Sequence, residues 1–312
     1  MRKNSILLTS LLIAVASPLP TLAHDRVAYQ NNGLSLNATL GSLSGEAHEY
    51  VYEENTGKKI SQLDWKIKNA LIAKAELNYD VRSWLSINGK GWTTLAKSNG
   101  RMDDYDWLNA AQSQWSDWSH HNNTNLNYAN GLDLNLRTWF LQDQNYKLGL
   151  LGGYEESKFS FRAKGGCYQY DNGRHSGCFP ADEPGIGYRQ TFNTPYVGLA
   201  GQYAINNFEL GLLVKLSNWV KAKDNDKHYS RNLTFKEWGD NAKYHSVTLN
   251  AGYHFTKNTK LFAEASYSHY GNVKADTEIT NGYTGRRSYF SKAAGLDNNN
   301  YAVALGLQYT FN

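Results

Sequence analysis

Residues 132–140 read Leu132-Asp133-Leu134-Asn135-Leu136-Arg137-Thr138-Trp139-Phe140, and the choice between a soluble fold and a membrane fold turns on them. In an extended chain successive side chains point to opposite faces. Leu132, Leu134, Leu136, Thr138 and Phe140 therefore share one face, while Asp133, Asn135, Arg137 and Trp139 share the other. A soluble core is a poor host for so many polar inner positions. A barrel in the outer membrane inverts the pattern, with apolar residues against lipid and polar ones inside. The alternation returns at Val197, Leu199, Gly201 and Tyr203, at Phe208, Leu210, Leu212, Val214 and Leu216, and at Val247, Leu249, Ala251, Tyr253 and Phe255. In the last run Tyr301, Val303, Leu305, Leu307, Tyr309 and Phe311 oppose Ala302, Ala304, Gly306, Gln308 and Thr310.

Beyond the N-terminus no window approaches the 18 apolar residues of a membrane helix, and 41% of the chain is hydrophobic. Aromatic residues, 13% of the chain, gather at strand ends such as Trp84, Trp139 and Trp219. Amphipathic rings favour the level where lipid meets water. A soluble sandwich would share the alternation but not this girdle.

At the N-terminus Arg2 and Lys3 precede an apolar run from Ile6 to Ala16, followed by Pro18, Pro20 and Thr21-Leu22-Ala23. That is the layout of an export signal. Residues 1–23 are expected to be the signal peptide and 24–312 a single barrel domain. Thirty basic residues then face 28 acidic ones in the mature chain, too even a balance to point to nucleic acid. Only Cys167 and Cys178 occur, across a Gly-rich stretch. After export a disulfide is the expected state. No recognisable metal spacing is present.

Ten strands are expected, near 33–45, 64–78, 84–95, 126–141, 146–162, 193–204, 208–221, 243–255, 260–271 and 299–311. Short turns near 78–83, 142–145, 205–207 and 256–259 alternate with long loops near 46–63, 96–125, 163–192, 222–242 and 272–298. Outer-membrane barrels keep short turns in the periplasm and long loops outside, which puts every long loop at the exterior. Ten antiparallel strands make a narrow barrel whose interior side chains fill, so a general porin is excluded.

Residues i and i+2 of an extended segment share a face. Two exterior segments use this spacing for reactive groups. In 102–107, "MDDYDW", Asp104 and Asp106 lie side by side, and two carboxylates so close titrate as a unit. In 224–228, "DNDKH", Asp224, Asp226 and His228 share a face. A carboxylate beside an imidazole fixes its tautomer and makes it a general base. Both segments lie just beyond the outer ends of the third and seventh strands, where a water between His228 and the Asp104/Asp106 pair would attack a peptide carbonyl. Each motif alone is a common solvated acidic loop; their joint placement raises both. No G-x-S-x-G elbow occurs, and His48-Glu49 lacks the second His of a zinc helix. His120 and His121 read as loop residues.

Strings including "ISQLDWKIKNA", "MDDYDW", "LNYAN", "PYVGLAGQY", "NFELG" and "DNDKHY" resemble the omptin family of outer-membrane proteases, which includes a plasminogen activator. The resemblance covers nearly the whole mature chain. It implies that Asp104 and Asp106 form a catalytic couple and that Asp226 with His228 forms a dyad acting on water, in an aspartyl-type endopeptidase. It further implies cleavage after Arg or Lys, often at dibasic sites, with Glu49 and Asp224 in the pocket for the basic side chain and Asp117 at a second acidic subsite. The family needs lipopolysaccharide as an activating lipid and no other cofactor. Tyr154, Glu156 and Lys158 fall on its lipid A-phosphate site, where Lys158 and Thr191 stand in place of the usual Arg and Arg189 compensates. The cysteine pair and the final Asn312 also depart from the family pattern. The protein is thus expected to be a monomer in the bacterial outer membrane with its site facing outward. It would act on basic peptides or proteins, and on itself at Lys58-Lys59 and Arg286-Arg287. The alternatives are a non-proteolytic adhesin or lipid-binding barrel, and an outer-membrane lipase.

Overall fold

In a computed structural model of the chain, residues 33–311 are described; the expected signal peptide and Asn312 lie outside the described residues. The alternating runs become β1 (Leu34–Tyr52), β2 (Lys59–Arg82), β3 (Leu85–Thr94), β4 (Ser98–Asp106), β5 (Asp117–Gln142) and β6 (Tyr146–Lys164). They continue as β7 (Cys167–Tyr170), β8 (His175–Cys178), β9 (Pro184–Ile205), β10 (Phe208–His228), β11 (Leu233–His254), β12 (Thr259–Asn281) and β13 (Arg287–Phe311). Neighbours pair antiparallel, and β1 pairs with β13 from Leu34↔Phe311 to Val51↔Ala294, which closes the ring. β3 and β4 together fill one place, both lying between β2 and β5. β7 and β8 form a hairpin that hangs from β5. The thirteen segments therefore make ten barrel staves among the described residues.

The alternation around Leu132 is as expected: Leu132, Leu134 and Leu136 are exposed on the outer wall while Asp133 and Asn135 are buried inside. The inner residues fill the lumen at membrane depth. Lys215 lies between Asp133 and Glu155, 2.7 Å from the latter, and Tyr196 donates to Asp133 at 2.5 Å. Arg137 sits 3.3 Å from Glu76. Removing one partner from such a buried set costs about 3–5 kcal/mol, so the network braces the barrel as well as blocking a pore. Trp139 corrects one reading: it is 6% exposed and turned into the lumen, where its indole N–H donates to Ser86 Oγ at 2.9 Å. Trp84 and Trp219 are exposed, as a girdle requires.

The strands run well past their expected outer ends. Segments expected to be long loops shrink to 53–58, 107–116, 165–183 with its hairpin, 229–232 and 282–286. The physical reason is an inversion of sign. Above the lipid band the period of two persists, but the outer face becomes polar and the inner face apolar. On β10 Lys221, Lys223 and Lys227 face outward while Val220 and Ala222 are buried. Trp65, Phe159, Phe161, Tyr188, Phe192 and Tyr270 make an aromatic core in this upper storey, with Phe192 stacked on Tyr270 at 4.1 Å. At about 3.3 Å per residue and a tilt of ~40°, strands this long stand roughly 60 Å tall. The lipid band takes up only ~25 Å of that. A rigid, well-packed β-platform thus carries the exterior rim.

Candidate active site

β4 and β10 bring both acidic motifs to the inner face of that platform. The aspartates are strand residues, not loop residues as expected. β4 is held between β2 and β5, in the register Leu63↔Asp104↔Ser119 and Ser61↔Asp106↔Asp117. Ser61 Oγ donates to Asp104 Oδ1 at 3.5 Å. On β10, alternation buries Asp224 and Asp226 and turns His228 inward. Asp226 Oδ2 lies 2.6 Å from His228 Nε2. The imidazole is braced on its other side by Phe235, 5.1 Å between ring centres.

Asp104, Asp106, Asp117, Tyr170, His228 and Arg231 line one cleft of about 440 Å³. Burial pushes Asp104 well above the usual carboxylate range, and the charges of Asp106 and Asp226 add to this while Arg231 opposes it. Asp106 is also raised, by burial and by Asp117, against the pull of Ser61, Arg231 and His228. Such a couple retains a proton where ordinary carboxylates have lost theirs. Burial, with Asp104 and Asp106 close by, pushes the Tyr170 phenol up to about 12, so it stays a neutral donor.

Asp226 also borders a second, deeper group. Glu49 on β1, Asp224 on β10 and Glu237 on β11 are all buried; desolvation raises Glu49 and Glu237 well above the usual range, and the charges of Asp224 and Asp226 add to both. For Asp224 burial wins over the Tyr188 hydrogen bond, and its carboxyl is pushed up to about 7. Tyr188 donates to Asp224 Oδ2 at 3.0 Å and receives a bond from Gln190 Nε2 at 2.9 Å. Gln190 is in turn fixed by Asn298 at 3.1 Å. One oxygen each of Glu49 and Asp226 is buried without a hydrogen-bond partner. Asp224 and Glu237 share a side-chain hydrogen bond, so the group is a buried cluster of four carboxyls drawn from β1, β10 and β11.

Asp117 stands across from Asp106 and accepts bonds from Ser116 Oγ at 2.6 Å and the Asp171 N–H at 3.1 Å. Cys167 and Cys178 face each other in the hairpin register and are joined by a disulfide. This hairpin presents Tyr170 to the cleft. Gly165 and Gly166, with φ of 54° and 102°, let the chain turn over His121; a Cβ on Gly166 would lie 2.5 Å from His121 Nδ1. His120 and His121 are β5 residues, correcting the loop reading. His120 Nδ1 pairs with Asp103 at 2.6 Å, while His121 is buried against Ser119 Oγ at 3.0 Å. Tyr154, Glu156 and Lys158 line up on the outer face of β6, opposite Leu134, Leu132 and Asn130 of β5. Lys158 is 2.6 Å from Glu156, Tyr154 donates to Asn193, and exposed Arg189 on β9 stands opposite Ser160.

Tyr170 and Arg231 of the cleft and Glu237 of the deeper group escaped the sequence reading. Glu237 is brought opposite Asp224 by the β10–β11 register, and no local motif marks it. Arg231, on the turn after β10, donates its guanidinium to His228 Nδ1. Its position three residues beyond His228 was the one available signal.

The whole architecture has counterparts among known proteins. The model of the Omptin family matches residues 30–311. The plasminogen activator of Yersinia pestis is 47% identical over 312 residues, covering all of both chains. Outer membrane protease OmpP of Escherichia coli is 42% identical over 96% of this chain and 98% of its own length. The crystal structure of outer membrane protease OmpT from Escherichia coli superposes with a TM-score of 0.88 at 40% identity, covering 91% of this chain and 100% of that one. A ten-stave barrel inverted for lipid, carrying its acidic cleft at the outer rim, is therefore a peptidase of the bacterial outer membrane and belongs to the omptin family.

Proposed function

We propose that the protein is an aspartyl-type endopeptidase that cuts after Arg or Lys with an activated water. The four buried carboxyls of Glu49, Asp224, Asp226 and Glu237, which make no ion pair with Lys or Arg among the described residues, carry this reading. A guanidinium or ammonium entering there replaces its lost hydration with charge-assisted bonds, and Glu49, Asp224 and Glu237 would hold it, with Asp117 as a second acidic subsite. The scissile carbonyl then lies one strand step above Asp226, beside His228.

Asp226 holds Nε2–H, which leaves the Nδ1 lone pair as the base. In the free protein Arg231 donates to that lone pair, so an incoming substrate displaces this flexible, exposed side chain. Water between Nδ1 and the Asp104/Asp106 couple gives its proton to His228 and its oxygen to the carbonyl carbon. The carboxyl of the couple that keeps its proton donates to the developing oxyanion, and Asp226 stabilises the imidazolium. His228 then returns the proton to the leaving amine as the C–N bond breaks. Lipopolysaccharide is the proposed activating lipid, seated through Tyr154, Glu156, Lys158 and Arg189 on the outer wall. Plasminogen, the substrate named for one relative, is a proposed protein target.

An Arg-Arg peptide incubated with the protein in lipopolysaccharide-containing membranes tests the scheme. His228→Ala should lower kcat by about 10²–10⁴, and Asp104→Ala should abolish cleavage, both with the barrel still folded. Substantial turnover by either variant would sink the mechanism.

A further inference from the structure

The outer wall above the lipid band carries a cluster that the cleft chemistry does not use. Glu46 and His48 alternate outward on β1, and strand pairing sets Asp64 of β2 and Asp297 of β13 on either side of His48. His48 Nδ1 lies 2.5 Å from Asp297 Oδ1, and Asp297 Oδ2 accepts the Tyr50 hydroxyl at 3.0 Å. His48 Nε2 faces Glu46 Oε2 at 3.6 Å and Asp64 Oδ1 at 3.7 Å. One donor atom from each of Glu46, His48 and Asp64 lies within 4.8 Å of the other two. All three side chains are only partly exposed.

We propose that Glu46, His48 and Asp64 bind a divalent transition cation of the zinc class, with Asp297 orienting the imidazole. The separations of 3.6 and 3.7 Å are too long for hydrogen bonds. They are within a few tenths of an ångström of the ~3.4 Å that separates neighbouring ligands on a tetrahedral zinc with bonds of about 2.0–2.1 Å. A histidine ligand almost always gives its other ring N–H to a carboxylate or carbonyl, which fixes the metal-binding nitrogen. Asp297 meets that condition at Nδ1, and Nε2 faces the two carboxylates, which hold a proton there until a cation displaces it. The remaining contacts are compatible with a cation. Lys66 lies 3.4 Å from Glu46 Oε1, the oxygen not offered, and Gln62 donates to Asp64 Oδ1 at 2.7 Å, leaving that oxygen a second lone pair. One imidazole with two carboxylates suits zinc, and also nickel, iron or manganese, better than calcium, which takes oxygen ligands alone. With three protein ligands on an open wall, the fourth position goes to solvent. The bound ion would tie β1, β2 and β13 together one residue from Glu49.

The test is zinc uptake by the refolded barrel in detergent, in competition with a chromophoric chelator. It is run in a His228→Ala background so that the cleft imidazole contributes nothing. One zinc per chain is expected. His48→Ala should abolish uptake, Asp64→Asn should weaken it, and Asp297→Asn should weaken it about 10–100-fold through the lost orienting bond. Each variant is first shown to be folded by its unheated electrophoretic mobility. Should His48→Ala not fold, His48→Gln and Asp64→Asn carry the comparison. Absence of uptake at millimolar zinc, or equal uptake by the His48 and Asp64 variants, would overturn the proposal and leave the cluster as an ion-pair network.

Discussion

Replacing Asp224 with Asn, or protonating it, should loosen the grip on a basic side chain in two distinguishable ways. The carboxyl is buried on β10 among Asp226, Tyr188 of β9, Glu237 of β11 and Glu49 of β1, and burial pushes it up to about 7. With that value about half the molecules hold an ionised Asp224 at pH 7 and about 1% at pH 5. If the charged form is the one that binds, affinity for an Arg peptide should fall about fiftyfold between those pH values. An entering guanidinium favours the ionised form, so binding at pH 7 should release roughly half a proton. Asp224→Asn should cost about 2–5 kcal/mol of affinity at pH 8 and flatten the dependence attributable to this residue. Calorimetric titration of a non-cleavable Arg peptide in two buffers of different ionisation heat reads both quantities, with a citrulline peptide as the neutral control. An Arg-to-citrulline affinity ratio that stays constant from pH 5 to pH 8 would refute the reasoning. Stability carries the opposite sign. Because the folded-state value lies above the ordinary one, the favourable contribution is complete below about pH 4 and is lost as pH rises through about 7. The Asn variant should therefore resist urea better than the parent at pH 8 and equally at pH 4.

Arg231→Ala frees His228 Nδ1 from a competing donor worth about 1 kcal/mol, so kcat/KM for a short peptide should rise about fivefold; a fall would make Arg231 part of the catalytic apparatus. Replacing Cys167 and Cys178 with Ser removes a closure of 11 residues, worth roughly 3 kcal/mol to the hairpin. Limited proteolysis should then nick 165–183 while the staves stay intact, and unchanged protection would show that β5 alone holds the hairpin. On the proposed lipid activation, Lys158→Ala combined with Arg189→Ala should raise the lipopolysaccharide needed for half-maximal activity without altering the proposed Arg preference; activity independent of the lipid, or an unchanged requirement, would refute that seat.

The membrane half of the barrel was legible because alternation there has a single meaning. Leu132, Leu134 and Leu136 can face only lipid while Asp133 and Asn135 line the lumen. The upper storey was not: the seventh strand was expected to end at Lys221, and the outward Lys223 and Lys227 fell in the expected loop 222–242 although the inward Ala222 shares their strand. A polar face toward water and an apolar face toward a core is ordinary soluble-sheet chemistry, and it begins midway along the same chain segment. Trp139 was also counted in the girdle on its ring alone, although the phase of its strand already turned it inward with Asp133 and Asn135.

In the site, what could be read was what shares a strand. Asp104 with Asp106, and Asp224 with Asp226 and His228, are i, i+2 sets, so a single extended segment delivers each as a unit. Glu237, the Asp297 beside His48 and the Tyr188–Gln190–Asn298 relay arrive by register between strands distant in sequence, and one residue of slip would send each to the other face. Both proposed receptors for positive charge accordingly straddle seams. The deep acidic pocket spans β1, β10 and β11, and the outer His48 cluster spans β13, β1 and β2. β1 supplies Glu49 inward and His48 outward from adjacent positions, so a cation on the wall and a guanidinium in the pocket would pull on the same peptide unit. Zinc on the outer cluster should therefore change KM for Arg peptides more than kcat, a coupling that His48→Ala would erase while leaving the inner pocket in place.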